Sequence, residues 1–429
     1  MTLKQTIQKL NPWTFEGTIS ENFLGINRET YLNKISTYLS SKEIILLTGV
    51  RRSGKSTIMY QLINKLLKNK VPKENICYFN FDVPIENSLK TIENILSTFK
   101  EITNPKNKIY LFLDEIQVID NWHNQIKAIY DTNPNIKFIL TGSNNSLLKS
   151  NTATLLTGRI FHIEVFPVDF KEYLKFKNIN ISSSNIEELK HNFQNFIQFG
   201  GFPEVVKEEN QVINEKRHRD YYEGILFRDI LSLGKIKEES KLNDLGLFCS
   251  TNIGTLFSYN KISKALGISV DSVKEYLNQM ENAYLVFQLK KYSYSVKETI
   301  QIQTPRKIYF IDTGLRNTLA FSFSKDLGRI IENVVFLQFK SNGKDIYYHK
   351  NKFECDFVIR EGLKIKEAIQ VCENLKDTKT KQREINGLLE AMSEYKLKEG
   401  IILTLDEEDE LIVENKKIKI IPLYKYLMV

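Results

Sequence analysis

Residues Gly49-Val50-Arg51-Arg52-Ser53-Gly54-Lys55-Ser56 form a complete G-x-x-x-x-G-K-[ST] phosphate loop. Before it, Glu43-Ile44-Ile45-Leu46-Leu47-Thr48 is a short apolar run that predicts a buried strand. After it, Ile58, Met59, Leu62, Ile63, Leu66 and Leu67 recur at helical spacing. Strand, loop and helix in this order turn successive backbone N–H groups and a helix N-terminus toward an anion. Gly49 and Gly54 allow the backbone to wrap tightly. The stretch therefore predicts ATP binding by Gly49, Arg51, Arg52, Ser53, Gly54, Lys55, Ser56 and Thr57. Lys55 is placed to reach the β- and γ-phosphates, and the Ser56 hydroxyl to join a Mg2+ shell.

A nucleotide site of this kind needs an acidic partner. Ile109-Tyr110-Leu111-Phe112-Leu113-Asp114-Glu115 is an apolar strand ending in two carboxylates. Asp114 suits the Mg2+ role, because a carboxylate at a strand's C-terminal end lies beside the phosphate loop. Glu115 is placed to polarise an attacking water. The bland alternative is that the pair ends a strand and caps the next helix.

The chain has 429 residues, more than one ordinary core, so two to four domains are expected. Its 42% hydrophobic and 26% charged residues fit a soluble globular protein. No apolar run approaches the length of a bilayer span, and the first residues lack a secretion signal's apolar core. Cys77, Cys249, Cys355 and Cys372 have no metal or redox spacing and read as reduced thiols, which favours a cytoplasmic location. The net charge of +8 is a mild bias toward polyanions.

Strand and helix patterns alternate over 43–165, with further strands expected at 76–81, 108–114, 137–141 and 161–165. This predicts a doubly wound parallel α/β sheet with its ligand at the strands' C-terminal edge. Residues 1–42 precede it as an N-terminal extension. Residues 166–240 read as a helical lid broken at Gly200-Gly201-Phe202-Pro203. Residues 241–300 read as a winged helix: helix 259–265, turn 266–269, second helix 270–283, then a β-prone wing. Residues 301–429 read as a separate α/β domain.

Taken together, the chain resembles a group of bacterial and archaeal AAA-type ATPases that carry a winged helix and a restriction-endonuclease-like domain. The resemblance rests on Gly49–Thr57, Leu113-Asp114-Glu115-Ile116-Gln117, Thr141-Gly142-Ser143, Gly158-Arg159, Phe166-Pro167 and Gly200-Gly201-Phe202-Pro203-Glu204. Later matches are Tyr309-Phe310-Ile311-Asp312-Thr313-Gly314-Leu315, Gly328-Arg329-Ile330-Ile331-Glu332-Asn333, Glu354-Cys355-Asp356-Phe357 and Ile369-Gln370-Val371. It implies a P-loop sheet core with Ser143 and Asn144 at a γ-phosphate sensor position, for which a turn and helix cap is the alternative. It also implies that Arg159 is a phosphoryl-neutralising arginine, in its own subunit or a neighbour's; a surface ion pair is the alternative.

The resemblance implies, for the C-terminal domain, Glu332 on a helix and Asp356 and Gln370 on neighbouring strands, the order used by Mg2+-dependent nucleases. Cys372 stands where the supporting lysine is expected, so an inactive domain is expected, with Lys376 or Lys381 as the only nearby substitutes. DNA reading by the winged helix meets acids on the second helix, whose solvent-facing candidates are Asp271, Lys274, Glu275, Gln279 and Glu281. The wing residues Lys290, Lys291, Lys297, Tyr292 and Tyr294 are better suited. The expected function is a Mg2+-dependent AAA-type ATPase that rearranges its appended domains against a DNA or protein partner, with homo-oligomerisation open and no membrane insertion. The alternatives are an ATP-gated DNA-binding module, an ATP-dependent nuclease and a small-molecule kinase.

Overall fold

In the computed structural model, which describes residues 2–86, 89–145, 147, 155–180, 185–231, 236, 238–295, 304–320 and 327–428, the early apolar runs become five parallel strands. These are β1 (Ile44–Thr48), β2 (Ile76–Asn80), β3 (Ile109–Asp114), β4 (Ile136–Gly142) and β5 (Ile160–Glu164), in spatial order β2-β3-β4-β1-β5. Every residue of β1 is buried, as a strand covered on both faces requires. Its side chains alternate between two cores. Ile44 and Leu46 pack with Phe79, Ile95 and Trp122, while Ile45 and Leu47 pack with Ile58, Leu62 and Trp13. β4 separates β1 from β3, so the phosphate loop and the acid pair leave the same sheet edge one strand apart.

This first unit spans 1–165. Residues 1–42, read above as an extension, are built into its core. Leu3, Ile7, Trp13, Leu32 and Ile35 are buried, the Trp13 indole N–H donates to the Ile76 carbonyl at 3.2 Å, and the Asn11 side chain bonds both the N–H and the carbonyl of Tyr78. The reason is unmet apolar area on both sheet faces: Leu3 and Ile7 join the core of Ile44 and Leu46, and Trp13, Leu32 and Ile35 that of Ile45 and Leu47.

The second unit, 166–429, begins with helices Phe170–Phe176, Ile186–Phe199, Pro203–Lys207 and Gln211–Gly224, the last running into a π-helical turn at Ile225–Ile230. The Gly200–Gly201 break is sterically required. A Cβ on Gly200 would lie 2.2 Å from the Asp312 carboxylate, and one on Gly201 2.2 Å from the Val168 carbonyl oxygen. Asp312 accepts the Gly201 N–H at 2.6 Å, so two motifs far apart in the chain form one joint.

Helix Glu239–Thr251 is followed by β6 (Leu256–Phe257), helices Tyr259–Leu266 and Val270–Asn282, β7 (Val286–Leu289) and β8 (Arg306–Phe310), with the strands ordered β6-β8-β7. Ser258 and Ser269 cap the two helices and Gly267 closes the first in the left-handed conformation, which is the turn chemistry the sequence offered. β8 extends this sheet past residue 300. Two surface expectations are corrected. Gln279 is buried and donates to Glu275, because its position faces the neighbouring helix. Tyr292 does not stand on a wing: it packs in a core with Tyr347 and Tyr395, since the chain after β7 runs beside Tyr348. Lys297 lies outside the described residues.

The remaining strands form a six-stranded sheet ordered β13-β14-β12-β11-β10-β9. They are β9 (Asp345–Lys350), β10 (Glu354–Glu361), β11 (Lys364–Val371), β12 (Glu399–Thr404), β13 (Asp409–Val413) and β14 (Lys416–Pro422). β9, β10 and β11 are antiparallel, whereas β11, β12 and β14 are parallel, with helix Thr378–Glu394 crossing from β11 to β12. No described helix is long and apolar enough to cross a membrane.

Candidate functional site

The phosphate loop lies between β1 and the helix Lys55–Lys68, as its flanks predicted. A Cβ on Gly49 would sit 2.1 Å from the Val165 carbonyl oxygen, so only glycine can leave β1 there. Gly54 starts the helix at φ 94°, a left-handed angle that glycine adopts without strain. Lys55 is buried and donates to the Gly49 and Val50 carbonyls at 3.0 and 3.1 Å, which folds its ammonium back over the loop. Arg51 approaches Asp82 at 4.0 Å, and Arg52 is exposed with φ 70°. Ser56 and Thr57 open the helix, both half-buried. The Ser53 hydroxyl is buried with no hydrogen-bond partner. An unsatisfied polar atom inside a phosphate loop fits a ligand oxygen.

Asp114 ends β3 fully buried. Tyr78 donates to it at 2.7 Å and Asn80 at 3.2 Å, and Thr141 at the end of β4 donates to its other oxygen. Ser56 also acts on Asp114 and lowers its pKa, so the two expected Mg2+ ligands are neighbours. Burial, and then the Glu115 charge, raise Asp114 above the usual carboxylate range, while these donors pull it back. A hydroxyl and a carboxylate with room for phosphate oxygens is the donor set Mg2+ takes. Groups of three or more His, Cys, Asp or Glu able to hold a metal are absent among the described residues.

Glu115 is half-buried at φ 56°, ψ 48°, and its side chain makes no cap bond to the short turn that follows, so the helix-cap alternative fails. Its N–H donates to the Thr141 hydroxyl at 3.0 Å. Ser143 and Asn144 are buried just past β4, at the same edge as the loop.

Arg159 is not at this edge. Its carbonyl accepts the Ile44 N–H where β1 begins, and Ile160 pairs with Ile44, so it lies a strand length, about 16 Å, from the loop. The guanidinium meets Asp131 at 3.5 Å and the Leu155 carbonyl at 2.9 Å, close to the Tyr130 ring. A role for Arg159 on its own subunit's nucleotide is therefore corrected; strand direction forbids it.

Arg28 was not identified in advance. Buried in the first unit, it donates to the Ser53 carbonyl at 2.9 Å, while the Gln61 side chain accepts its N–H at 3.2 Å. It braces the loop from residues 1–42, and no local motif announces it.

In the second unit, Glu332, Asp356 and Gln370 do converge. The Gln370 side-chain oxygen Oε1 accepts the Asp356 N–H at 3.0 Å, and the Asp356 carboxylate accepts the Val371 N–H at 3.0 Å. The expected absence of a lysine is corrected: Lys307, from β8 of the three-stranded sheet, enters the cluster. Its fully buried ammonium lies 2.9 Å from Glu332, 2.9 Å from Glu354 and 2.8 Å from Asp356. Burial opposes the Lys307 charge, but Asp356 and Glu332 outweigh it and hold the pKa well above the ordinary value. Tyr309 also donates to Glu332 at 2.6 Å. Cys372 is buried in the apolar core, where burial pushes its thiol up and keeps it protonated. Lys376 is exposed. A cleft of about 660 Å³ opens over the cluster, with Arg329, Lys352 and Arg383 among its walls.

Comparison with other proteins agrees with this architecture. The profile of a family described as "AAA domain" matches residues 41–174, and one described as a domain of unknown function matches 190–326. An uncharacterized protein of Methanocaldococcus jannaschii is 35% identical over 96% of this chain and 94% of its own length. An uncharacterized protein of Haemophilus influenzae is 30% identical, covering 82% of this chain and 89% of its own. A Walker-type ATPase of Pyrococcus abyssi superposes with TM-score 0.45 and 14% identity over 68% of this chain and 95% of that one, too loosely to carry an argument.

Proposed function

This chain belongs to one family with these Methanocaldococcus jannaschii and Haemophilus influenzae relatives and carries an AAA domain at 41–174, and from these we propose that it is a Mg2+-dependent ATP hydrolase whose cycle moves its appended segments against a macromolecular partner. The carrying observation is the glycine-bounded loop that holds Lys55, with the buried Asp114 at the end of β3 on the same sheet edge. Lys55 and the loop N–H groups bind the β- and γ-phosphates, and Ser56 with Asp114 would hold the metal. When bound, Mg2+ neutralises charge developing on the phosphates. Glu115 takes a proton from the attacking water. Loss of the γ-phosphate then releases one arrangement of the chain in favour of another.

The test is phosphate release by wild type, Lys55→Ala and Glu115→Gln, with ATP binding followed in parallel. Glu115→Gln should bind ATP and fail to turn it over; equal rates in all three proteins remove the proposal. Arg159 enters only from a neighbouring subunit. Specific activity that rises with protein concentration in wild type and stays flat in Arg159→Ala supports that role, and flat profiles in both remove it.

Two finer readings concern the second unit. The order β6, two helices, β7 and β8 supports a winged helix, but its second helix is poorly suited to DNA. Lys274 is paired with Asp271 at 2.9 Å, Gln279 is buried and Tyr292 is in a core. A protein-docking role fits better. The six-stranded domain supports a restriction-endonuclease-like fold with no cleavage, because Lys307 already satisfies the three carboxylates a metal would need. DNA nicking with Mg2+ or Mn2+ that is lost in Asp356→Ala would overturn this.

A further inference from the structure

Two residues beyond Glu115, the short turn Ile116–Val118 folds Gln117 back over the acid. Its side-chain amide nitrogen donates to the Glu115 carboxylate and, at 3.1 Å, to the Ser143 hydroxyl past the end of β4. The amide can take only this orientation, since a carboxylate accepts and cannot donate. Its carbonyl oxygen is left buried with no partner. Leaving such an acceptor unmet is costly, and a residue selected for packing alone would avoid it. Gly142 makes room for it: a Cβ there would lie 2.9 Å from that oxygen and 2.2 Å from Leu147.

We propose that Gln117 is a positioning residue for hydrolysis, bridging Glu115 at the end of β3 to Ser143 past the end of β4 and so orienting the Glu115 carboxylate toward the water. The inference rests on the ATPase reading above and adds the residue through which Glu115 is aimed. The backbone at Glu115 is left-handed, an uncommon angle for a glutamate, so its side chain leaves the strand in a direction that packing does not otherwise hold. The Gln117 N–H limits rotation of the Glu115 carboxylate. The same amide also ties the acid to the strand end next to the phosphate loop.

The experiment uses the full-length chain with ATP and Mg2+, reading kcat and KM. Gln117→Ala should lower kcat at least about tenfold with KM for ATP little changed, because aim is lost and phosphate contacts are not. Gln117→Glu keeps the shape but cannot donate to the Glu115 carboxylate; kcat should fall with KM little changed. Adding Gln117→Ala to Glu115→Gln should cost nothing more, because both act through one carboxylate. Unchanged kcat in Gln117→Ala and Gln117→Glu overturns the inference, as does a full additional loss in the double variant. If wild type releases no phosphate, the ATPase reading falls first, and does so before any variant is made.

Discussion

The phosphate-loop site and the carboxylate cluster of the second unit are built from the same materials, a buried lysine and buried acids, and they end in opposite states. Around the loop, Ser53 and Gln117 each keep a buried polar atom without a partner. In the cluster, Lys307, Glu332, Glu354, Asp356 and Gln370 meet one another, and none of them is among the described residues with such an atom. Unmet hydrogen-bonding capacity is stored where a ligand will supply it; a saturated ion cluster is a piece of scaffold. The lesson is that acid-plus-lysine composition does not define a reactive site. What matters is whether the folded chain has already spent those groups on itself.

The sharpest way to break this contrast is Lys307→Met. It leaves three carboxylates facing one another without their cation and should cost about 3–5 kcal/mol of stability in denaturant unfolding. Mn2+ should stabilise this variant and leave wild type unaffected, and a wild type stabilised by Mn2+ through Asp356 would put the cluster back among reactive sites. Lys55→Ala should do the reverse. Phosphate release falls by about a hundredfold or more, as for loss of one electrostatic donor, while the unfolding midpoint moves little. Gly142→Ala is smaller. Its Cβ meets Leu147 and Gln117, so about 1–3 kcal/mol of stability and part of kcat should be lost together.

A pH measurement separates the sites more gently. Burial, and then the adjacent Asp356 charge, raise Glu332 above its ordinary 4.5. A native acid with a raised pKa binds its proton more tightly than the unfolded chain does. The stability it contributes is therefore full below pH 4.5 and is lost as pH rises through the raised value. Glu332→Gln should flatten that decline in melting temperature, and an unchanged slope would place the titration elsewhere. The mildest expectation concerns the thiols. All four cysteines are buried, and burial raises every one, so a thiol reagent should label them only after denaturation.

Much of the first unit was legible because its signals are local. Eight consecutive residues specify the loop, and alternating apolar runs specify β1 to β5 with small shifts at their ends. Asp114 and Glu115 were legible because a strand's last residue has one place to go in a parallel sheet. Arg159 was misplaced because its role came from the resemblance, whereas the strand expected at 161–165 already put it ahead of that strand's N-terminal end, opposite the ligand edge. Gln279 and Tyr292 were assigned to solvent because helical and strand periodicity cannot say which of two faces meets another layer.

The sequence by itself determined the phosphate loop, the acid pair and the parallel core, since each follows from spacing along one strand, turn or helix; the convergence of Glu332, Asp356 and Gln370 came from the resemblance. Only the tertiary structure decided that Arg28 braces the loop, that Gln117 spans two strand ends, and that Lys307 crosses from another sheet to close the cluster. Those are contacts between residues distant along the chain or on different elements. A buried charge or amide takes whichever partner the packed layers bring within hydrogen-bond reach, and no local pattern encodes that choice.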